Sequence, residues 1–172
     1  MKPLLLLIYG PNGAGKTTIA KALATKYRGF HIQIDIFSSM LRGRCWHSRQ
    51  SNKNKIILIL GVLDAALKNT SCKKFFLDGV LIYRSMFKEI ENWCNNNSVE
   101  FVPIYLTGNL SDLNYRIGQR KKLKKDWNKF LPKLYKNFRH GKAIKINSSG
   151  KTPENVINEV QSIILFKGGG RT

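Results

Sequence analysis

The chain has 172 residues, which is enough for one domain with a single core and too few for two ordinary domains. Its 42% apolar and 10% aromatic residues exclude a disordered basic tail, because that many apolar side chains can fill a core. Thirty Lys and Arg against ten Asp and Glu give a net charge of +20, which favours an anionic partner.

Apolar runs alternate with segments of helical period along the chain. The run Leu4–Tyr9 is typical of a strand that is buried on both faces. A final helix begins at Thr152-Pro153-Glu154, with proline in its first turn, and runs through Phe166. Between the first strand and the final helix, the apolar pattern predicts the following elements in chain order: helix Thr17–Tyr27, strand His31–Asp35, helix Ile56–Leu67, strand Phe75–Asp78, helix Arg84–Cys94, strand Phe101–Leu106 and strand Ala143–Ile146.

This alternation of strands and helices predicts an α/β fold with a five-stranded parallel sheet covered by helices on both faces. We expect a single domain over residues 1–167 and a flexible tail over 168–172. The longest apolar run is far short of the ~20 residues that span a bilayer, and no signal-peptide pattern is present. The three cysteines match no metal-ligand spacing. We therefore expect free thiols and a cytoplasmic location.

The positive charge is concentrated in two segments. Arg116–Lys145 holds twelve Lys and Arg and one acid, Asp126, while Arg42–Lys55 holds five Lys and Arg and no acid. Such segments favour a polyanionic partner such as an RNA or DNA end, although a solvated basic surface has the same composition.

The segment that follows the first strand carries the strongest motif. Gly10, Pro11, Asn12, Gly13, Ala14, Gly15, Lys16 and Thr17 match the Walker A pattern G-x-x-x-x-G-K-[ST] at every required position, between a predicted strand and a predicted helix. Small residues let backbone N–H groups surround a phosphate at the positive end of the helix dipole. The motif predicts that Lys16 reaches the β- and γ-phosphates of ATP, and that Thr17 joins a Mg²⁺ shell. Thr18 supplies a second hydroxyl.

The order of the motifs resembles the small P-loop kinases of the nucleoside-monophosphate-kinase-like group, which includes shikimate, gluconate, chloramphenicol and polynucleotide 5′-hydroxyl kinases. The shared features are the P-loop, Asp35 after the second strand, Asp78-Gly79 after the third strand, a basic segment after the fourth strand, and the final helix. The signature of ABC-type ATPases and the guanine motif of small GTPases are absent. The resemblance implies an ATP- and Mg²⁺-dependent phosphotransferase, strand order 2-3-1-4-5, and a basic lid over about residues 110–141.

Two carboxylates are candidates for the chemistry. The resemblance implies that Asp35, at the end of the second strand, accepts or orients the proton of the acceptor hydroxyl, whereas an N-cap or turn carboxylate is the alternative. Asp78 ends an apolar strand, as a Walker-B-like carboxylate that holds Mg²⁺ through water would do. The alternative for Asp78 is a plain Asp-Gly turn.

Arg116 and Arg120 lie four residues apart on one face of a predicted helix. The resemblance implies that these lid arginines close over the triphosphate and neutralise charge on the transferred group; a solvated basic face is the alternative. Trp46 and Trp127 stand among cations and could stack on a base or anchor the core. The three histidines, His31, His47 and His140, have no partner at metal or nucleophile spacing, so we expect structural or surface roles for them.

The acceptor is left open between a nucleic-acid 5′-hydroxyl end and a nucleotide or small molecule, including an antibiotic. An NTP-dependent nucleic-acid-binding module without transfer activity is a third reading.

Overall fold

The computed structural model describes residues 2–41, 49–81, 83–119 and 142–168. Within these ranges, five strands alternate with helices. The elements are β1 (Leu4–Tyr9), α1 (Lys16–Tyr27), β2 (Phe30–Gln33), α2 (Ile34–Met40), α3 (Arg49–Asn69), β3 (Lys74–Gly79), α4 (Arg84–Asn96), β4 (Glu100–Thr107), α5 (Leu110–Gly118), β5 (Ile144–Asn147) and α6 (Pro153–Gly168).

The five strands form one parallel sheet in the order β2-β3-β1-β4-β5, which confirms the predicted topology. β1 is central and pairs with both β3 and β4, so that Ile8 lies opposite Asp78 on one side and Ile104 on the other. All six residues of β1 are buried, as expected for the middle strand of a sheet that is covered on both faces.

Alternate residues of β1 enter two separate hydrophobic cores. Leu5, Leu7 and Tyr9 face a core that includes residues of α3 and α4. Leu4, Leu6 and Ile8 face a second core that includes residues of α1 and α6. This period of two fixes the register of the sheet, because a slip of one residue would exchange the two faces.

The predicted second strand extends two residues too far. The strand ends at Gln33, and Ile34 and Asp35 form the first turn of helix α2, a short helix that the sequence did not predict. The isoleucines around Asp35 favour a strand locally, but Ile34 packs directly against Gly79 at the end of β3. A Cβ atom at position 79 would lie 2.5 Å from the Ile34 Cβ. This close tertiary contact turns the chain out of the sheet.

Parallel pairing brings the carboxyl ends of β1, β2 and β3 to one edge of the sheet, where the P-loop, Asp35 and Asp78 all follow. Ligands of open α/β sheets bind at this edge. None of the helices in the described ranges is long and apolar enough to cross a membrane. Most of the predicted lid, residues 120–141, and the tail from 169 onward lie outside the described residues.

Candidate functional site

The P-loop joins β1 to α1 through backbone conformations that favour glycine. Gly10, Gly13 and Gly15 have φ angles of 145°, 83° and 91°, respectively, in the region that L side chains rarely adopt. A Cβ atom at Gly10 would collide with the Leu106 carbonyl oxygen, and one at Gly13 would lie 2.6 Å from the Leu113 carbonyl oxygen. The loop therefore packs against β4 and α5. Both conformation and space require glycine at Gly10 and Gly13, whereas conformation alone favours it at Gly15, where a Cβ atom would meet nothing within 4 Å.

Lys16 opens α1 and is 7% exposed. Its ammonium donates a hydrogen bond of 2.8 Å to the Pro11 carbonyl oxygen, across the loop. The cation is thereby held inside the P-loop at the positive end of the helix, where a phosphate anion is stabilised.

Thr17 and Asp78 meet at the carboxyl ends of β1 and β3. The Thr17 hydroxyl donates to Asp78 Oδ1 at 3.2 Å, and Asp78 Oδ2 lies 3.4 Å from His31 Nε2. The Asp78 carboxyl group is completely buried. Burial raises its pKa, while the Thr17 hydrogen bond, the adjacent His31 and the positive charge of Lys16 act in the opposite direction.

This pair of oxygens fits a magnesium ion. A hydroxyl and a carboxylate are hard ligands, and Mg²⁺ in phosphotransfer sites takes few protein ligands and keeps several waters. Among the described residues no group of three or more His, Cys, Asp and Glu side chains forms a dedicated metal cage. His31 contacts this carboxylate, a partner that its position in the sequence did not indicate.

Asp35 lies in the first turn of α2 and is exposed. In the sheet register Gln33 is opposite Asp78, so Asp35 follows the strand that pairs with the one containing Asp78. The structure thus places Asp35 at the expected edge, on a helix rather than a strand.

Lys55 is a residue of this region that the sequence analysis did not single out. It is 5% exposed on α3, and burial lowers the pKa of its ammonium group, while the charge of Asp35 partly offsets that effect. A lysine inside a basic segment carries no sequence signal of burial.

Arg116 lies on α5 and is anchored to the loop after β5. Its guanidinium donates to the Ser148 hydroxyl at 3.2 Å and to the Ser148 carbonyl at 2.9 Å. Ser148 is itself bound to the Thr107 carbonyl at the end of β4. Arg116 and Ser148 line a cavity of about 400 Å³ together with Gly13, Thr18, Lys151 and Pro153. The cavity adjoins the P-loop and has the size of a small-molecule site.

The remaining candidates lie outside the described residues: Arg120, Trp46, Trp127, His47 and His140. The predicted closure of Arg116 and Arg120 over a triphosphate therefore stays a prediction.

Solved structures share the fold at low sequence identity. A sugar kinase from a Janibacter species superposes with a TM-score of 0.71 at 14% identity, covering 93% of each chain. A tunicamycin resistance protein from Deinococcus radiodurans gives 0.70 at 14% identity, covering 94% of this chain and 95% of that one. A gluconokinase from Sinorhizobium meliloti gives 0.68 at 14% identity, covering 93% and 90%. These neighbours confirm the predicted P-loop fold.

Among curated protein sequences none matches the chain significantly. Residues 6–97 match the model of the ATPase family associated with various cellular activities (AAA), a span that includes the P-loop and Asp78. Since this match covers more than half of the chain, the protein belongs to that family of P-loop NTPases.

Proposed function

We propose that the protein is an ATP- and Mg²⁺-dependent kinase that transfers the γ-phosphate to an acceptor hydroxyl. The observation that carries the proposal is the meeting of Lys16, Thr17 and Asp78 in one P-loop site, with Asp35 following the adjacent strand. The chain shares its fold with a sugar kinase and a gluconokinase, which is consistent with transfer to a hydroxyl.

The P-loop binds the nucleotide in this proposal. Its backbone N–H groups and the Lys16 ammonium hold the β- and γ-phosphates, and Arg116 binds the nucleotide from the wall of the 400 Å³ cavity. Thr17 and Asp78 would hold Mg²⁺, which would supply charge neutralisation at the phosphate oxygens.

Asp35 acts as the base for the acceptor hydroxyl. Its carboxylate receives the hydroxyl proton as the acceptor oxygen bonds to the γ-phosphorus and the bond to the β-phosphate oxygen breaks, which releases ADP. An exposed carboxylate in the first turn of a helix is accessible to an incoming hydroxyl.

Two variants separate these roles. Lys16→Ala should weaken ATP binding and lower transfer by ~10²-fold or more, because it removes charge from the phosphates. Asp35→Ala should lower transfer by ~10²–10³-fold and leave ATP affinity nearly unchanged, because it acts on the acceptor only. The measurements are calorimetric ATP titration and the rate of γ-phosphate transfer.

Matched controls are Lys21→Ala, an exposed lysine on α1, and Glu100→Ala, an acid at the opposite edge of the sheet. Both should behave like the unmodified protein. Equal loss of ATP affinity in Lys16→Ala and Asp35→Ala would contradict this division of roles.

A nucleic-acid 5′-hydroxyl end is a second candidate acceptor, and the net charge of +20 favours it. A protein that neutralises several phosphates loses affinity steeply with salt, because counterions are released on binding. Transfer to an oligonucleotide should then fall by ~10³-fold or more between 50 and 200 mM salt, whereas transfer to an uncharged small acceptor should change little.

A further inference from the structure

The carboxylate of Asp78 is held at both of its oxygens, by side chains from two different elements. Oδ1 accepts a hydrogen bond of 3.2 Å from the Thr17 hydroxyl on α1, and Oδ2 lies 3.4 Å from His31 Nε2 on β2. An ionised carboxylate only accepts hydrogen bonds, so Nε2 carries the hydrogen in this contact. A single contact would leave the carboxylate free to rotate about its Cβ–Cγ bond, whereas two contacts on opposite oxygens fix its plane.

The register of the sheet brings His31 to this carboxylate. His31 is opposite Phe76 in the parallel pairing of β2 with β3, and Asp78 follows Phe76 by two residues. Because side chains alternate along a strand, Phe76 and Asp78 leave β3 on the same face. That face is the one that α1 covers, since Phe76 packs in the core that contains residues of α1. His31 therefore contacts Asp78 from the neighbouring strand, while Thr17 contacts it from the helix.

Asp78 needs such donors because its side chain is completely buried. A carboxylate that is removed from water is stable only where hydrogen bonds replace those it loses. The Thr17 hydroxyl can donate to Asp78 and offer a lone pair to Mg²⁺ at the same time. His31, whose side chain is 18% exposed, holds the other oxygen. Since Mg²⁺ prefers oxygen ligands, the imidazole supports the carboxylate and is not itself a ligand.

We propose that His31 is a positioning residue for the magnesium site: its Nε2–H holds Asp78 in the orientation in which the carboxylate and the Thr17 hydroxyl receive the ion together. This role rests on the magnesium site of the kinase function proposed above. His31 takes no part in the transfer step and forms no bond to the metal. Removing such a partner of a metal ligand typically lowers metal affinity by roughly 10–100-fold.

The test measures how much Mg²⁺ strengthens nucleotide binding, and it needs no transfer. The β,γ-imido analogue of ATP is titrated calorimetrically into the protein once with Mg²⁺ and once with EDTA. The ratio of the two dissociation constants reports on the metal site. A general disturbance of the fold would weaken binding in both titrations alike and leave the ratio unchanged.

His31→Gln and His31→Asn form a matched pair of variants. Both place a neutral amide at position 31, but only the longer glutamine side chain extends as far as the Nε2 atom of histidine. We expect His31→Asn to lower the ratio by ~10-fold, and His31→Gln to keep it within about twofold of the unmodified chain. Binding in EDTA should be nearly the same in all three proteins. If His31→Asn does not fold, His31→Leu, which also lacks a donor, takes its place.

The outcomes separate this role from the proposed function. A ratio that is unchanged in His31→Asn, or lowered equally in both amide variants, would overturn the role of His31. If the unmodified chain binds the analogue no more tightly with Mg²⁺ than with EDTA, the magnesium site fails and the role of His31 fails with it. An unmodified chain with a strong magnesium effect that transfers phosphate to no acceptor contradicts the kinase function alone.

Discussion

At Asp78 the requirements of stability and of function oppose each other. Its carboxylate is completely buried between Thr17 and His31, and burial raises its pKa, so the ionised form is destabilised in the folded protein. A metal ion offsets such a cost when it binds. The residue is thus typical of a functional site, where stability is given up for chemistry.

Asp78→Asn should separate the two demands. The amide keeps the shape and the hydrogen bond from Thr17 but removes the buried charge, so we expect a higher melting temperature at pH 7. We also expect the Mg²⁺ concentration for half-maximal transfer to rise ~10–100-fold, as for a ligand that acts through water. Thermal unfolding and a magnesium titration measure the two effects. A lower melting temperature combined with an unchanged magnesium requirement would contradict this account.

The candidate residues that could be predicted are those marked by their immediate neighbours in the sequence. The residues that were missed depend on contacts between segments that are distant in the sequence. The P-loop is encoded by eight consecutive residues, so its motif is complete in the sequence. Asp78 was predicted because it ends an apolar strand. The burial of Lys55 and the contact of Ser148 with Arg116 were missed because they depend on tertiary packing; Arg116 and Ser148, for example, are 32 residues apart in the chain.

At the scale of the element, the P-loop depends on the helix it rests on. Gly13 has a positive φ angle, and a Cβ atom there would press on the backbone of α5 at Leu113. The loop, β4 and α5 therefore form one packed unit, in which a methyl group cannot be added without moving the loop.

Gly13→Ala should lower ATP affinity by at least about tenfold and destabilise the fold by ~1–2 kcal/mol, the cost of the left-handed conformation. The matched control is Gly61→Ala on α3, where a Cβ atom meets nothing within 4 Å. That variant should stabilise the protein by up to ~1 kcal/mol, because alanine is the better helix former. Denaturant unfolding and ATP titration test the pair. A Gly13→Ala variant that is more stable than the Gly61→Ala variant would contradict the packing of the P-loop on α5.

Most helices and strands could be predicted from the periodic spacing of their apolar residues. α1, α4 and the five strands were predicted to within a few residues, since each has a continuous or periodic apolar pattern. α2 was not predicted, because its first residues have strand propensity and the contact of Ile34 with Gly79 decides the outcome. α3 begins seven residues before the predicted start, in a polar segment without an apolar stripe.

At the scale of the whole molecule, helix α4 places the thiol of Cys94 in the core that α3 and α4 share with the sheet. Cys94 is completely buried, and burial together with the charge of Glu91 raises its pKa to about 12. Cys72 is partly exposed and lies near the surface. The two thiols therefore report on different parts of the molecule, the core and the periphery.

Cys94 should resist alkylation by iodoacetamide at pH 8 in the folded protein and react once the chain unfolds, while Cys72 reacts in both states. Because the folded pKa is raised, the unfolded thiol ionises first, so stability should fall as pH rises from about 9 towards 12. Peptide mass mapping across a urea series measures the reactivity. Alkylation of Cys94 that precedes the loss of helical circular dichroism would show that this core does not unfold with the rest.

The measurement that tests the central claim most directly follows γ-labelled ATP with Mg²⁺ and a panel of acceptors. The panel holds 5′-hydroxyl oligoribonucleotides and oligodeoxyribonucleotides, nucleoside monophosphates, and sugars with sugar acids, and Lys16→Ala and Asp35→Ala serve as controls. The account predicts label on one acceptor class, strongly reduced in both variants. Label that appears only as inorganic phosphate, at a rate that no acceptor and no change at Asp35 alters, would contradict a kinase and identify an NTPase without transfer.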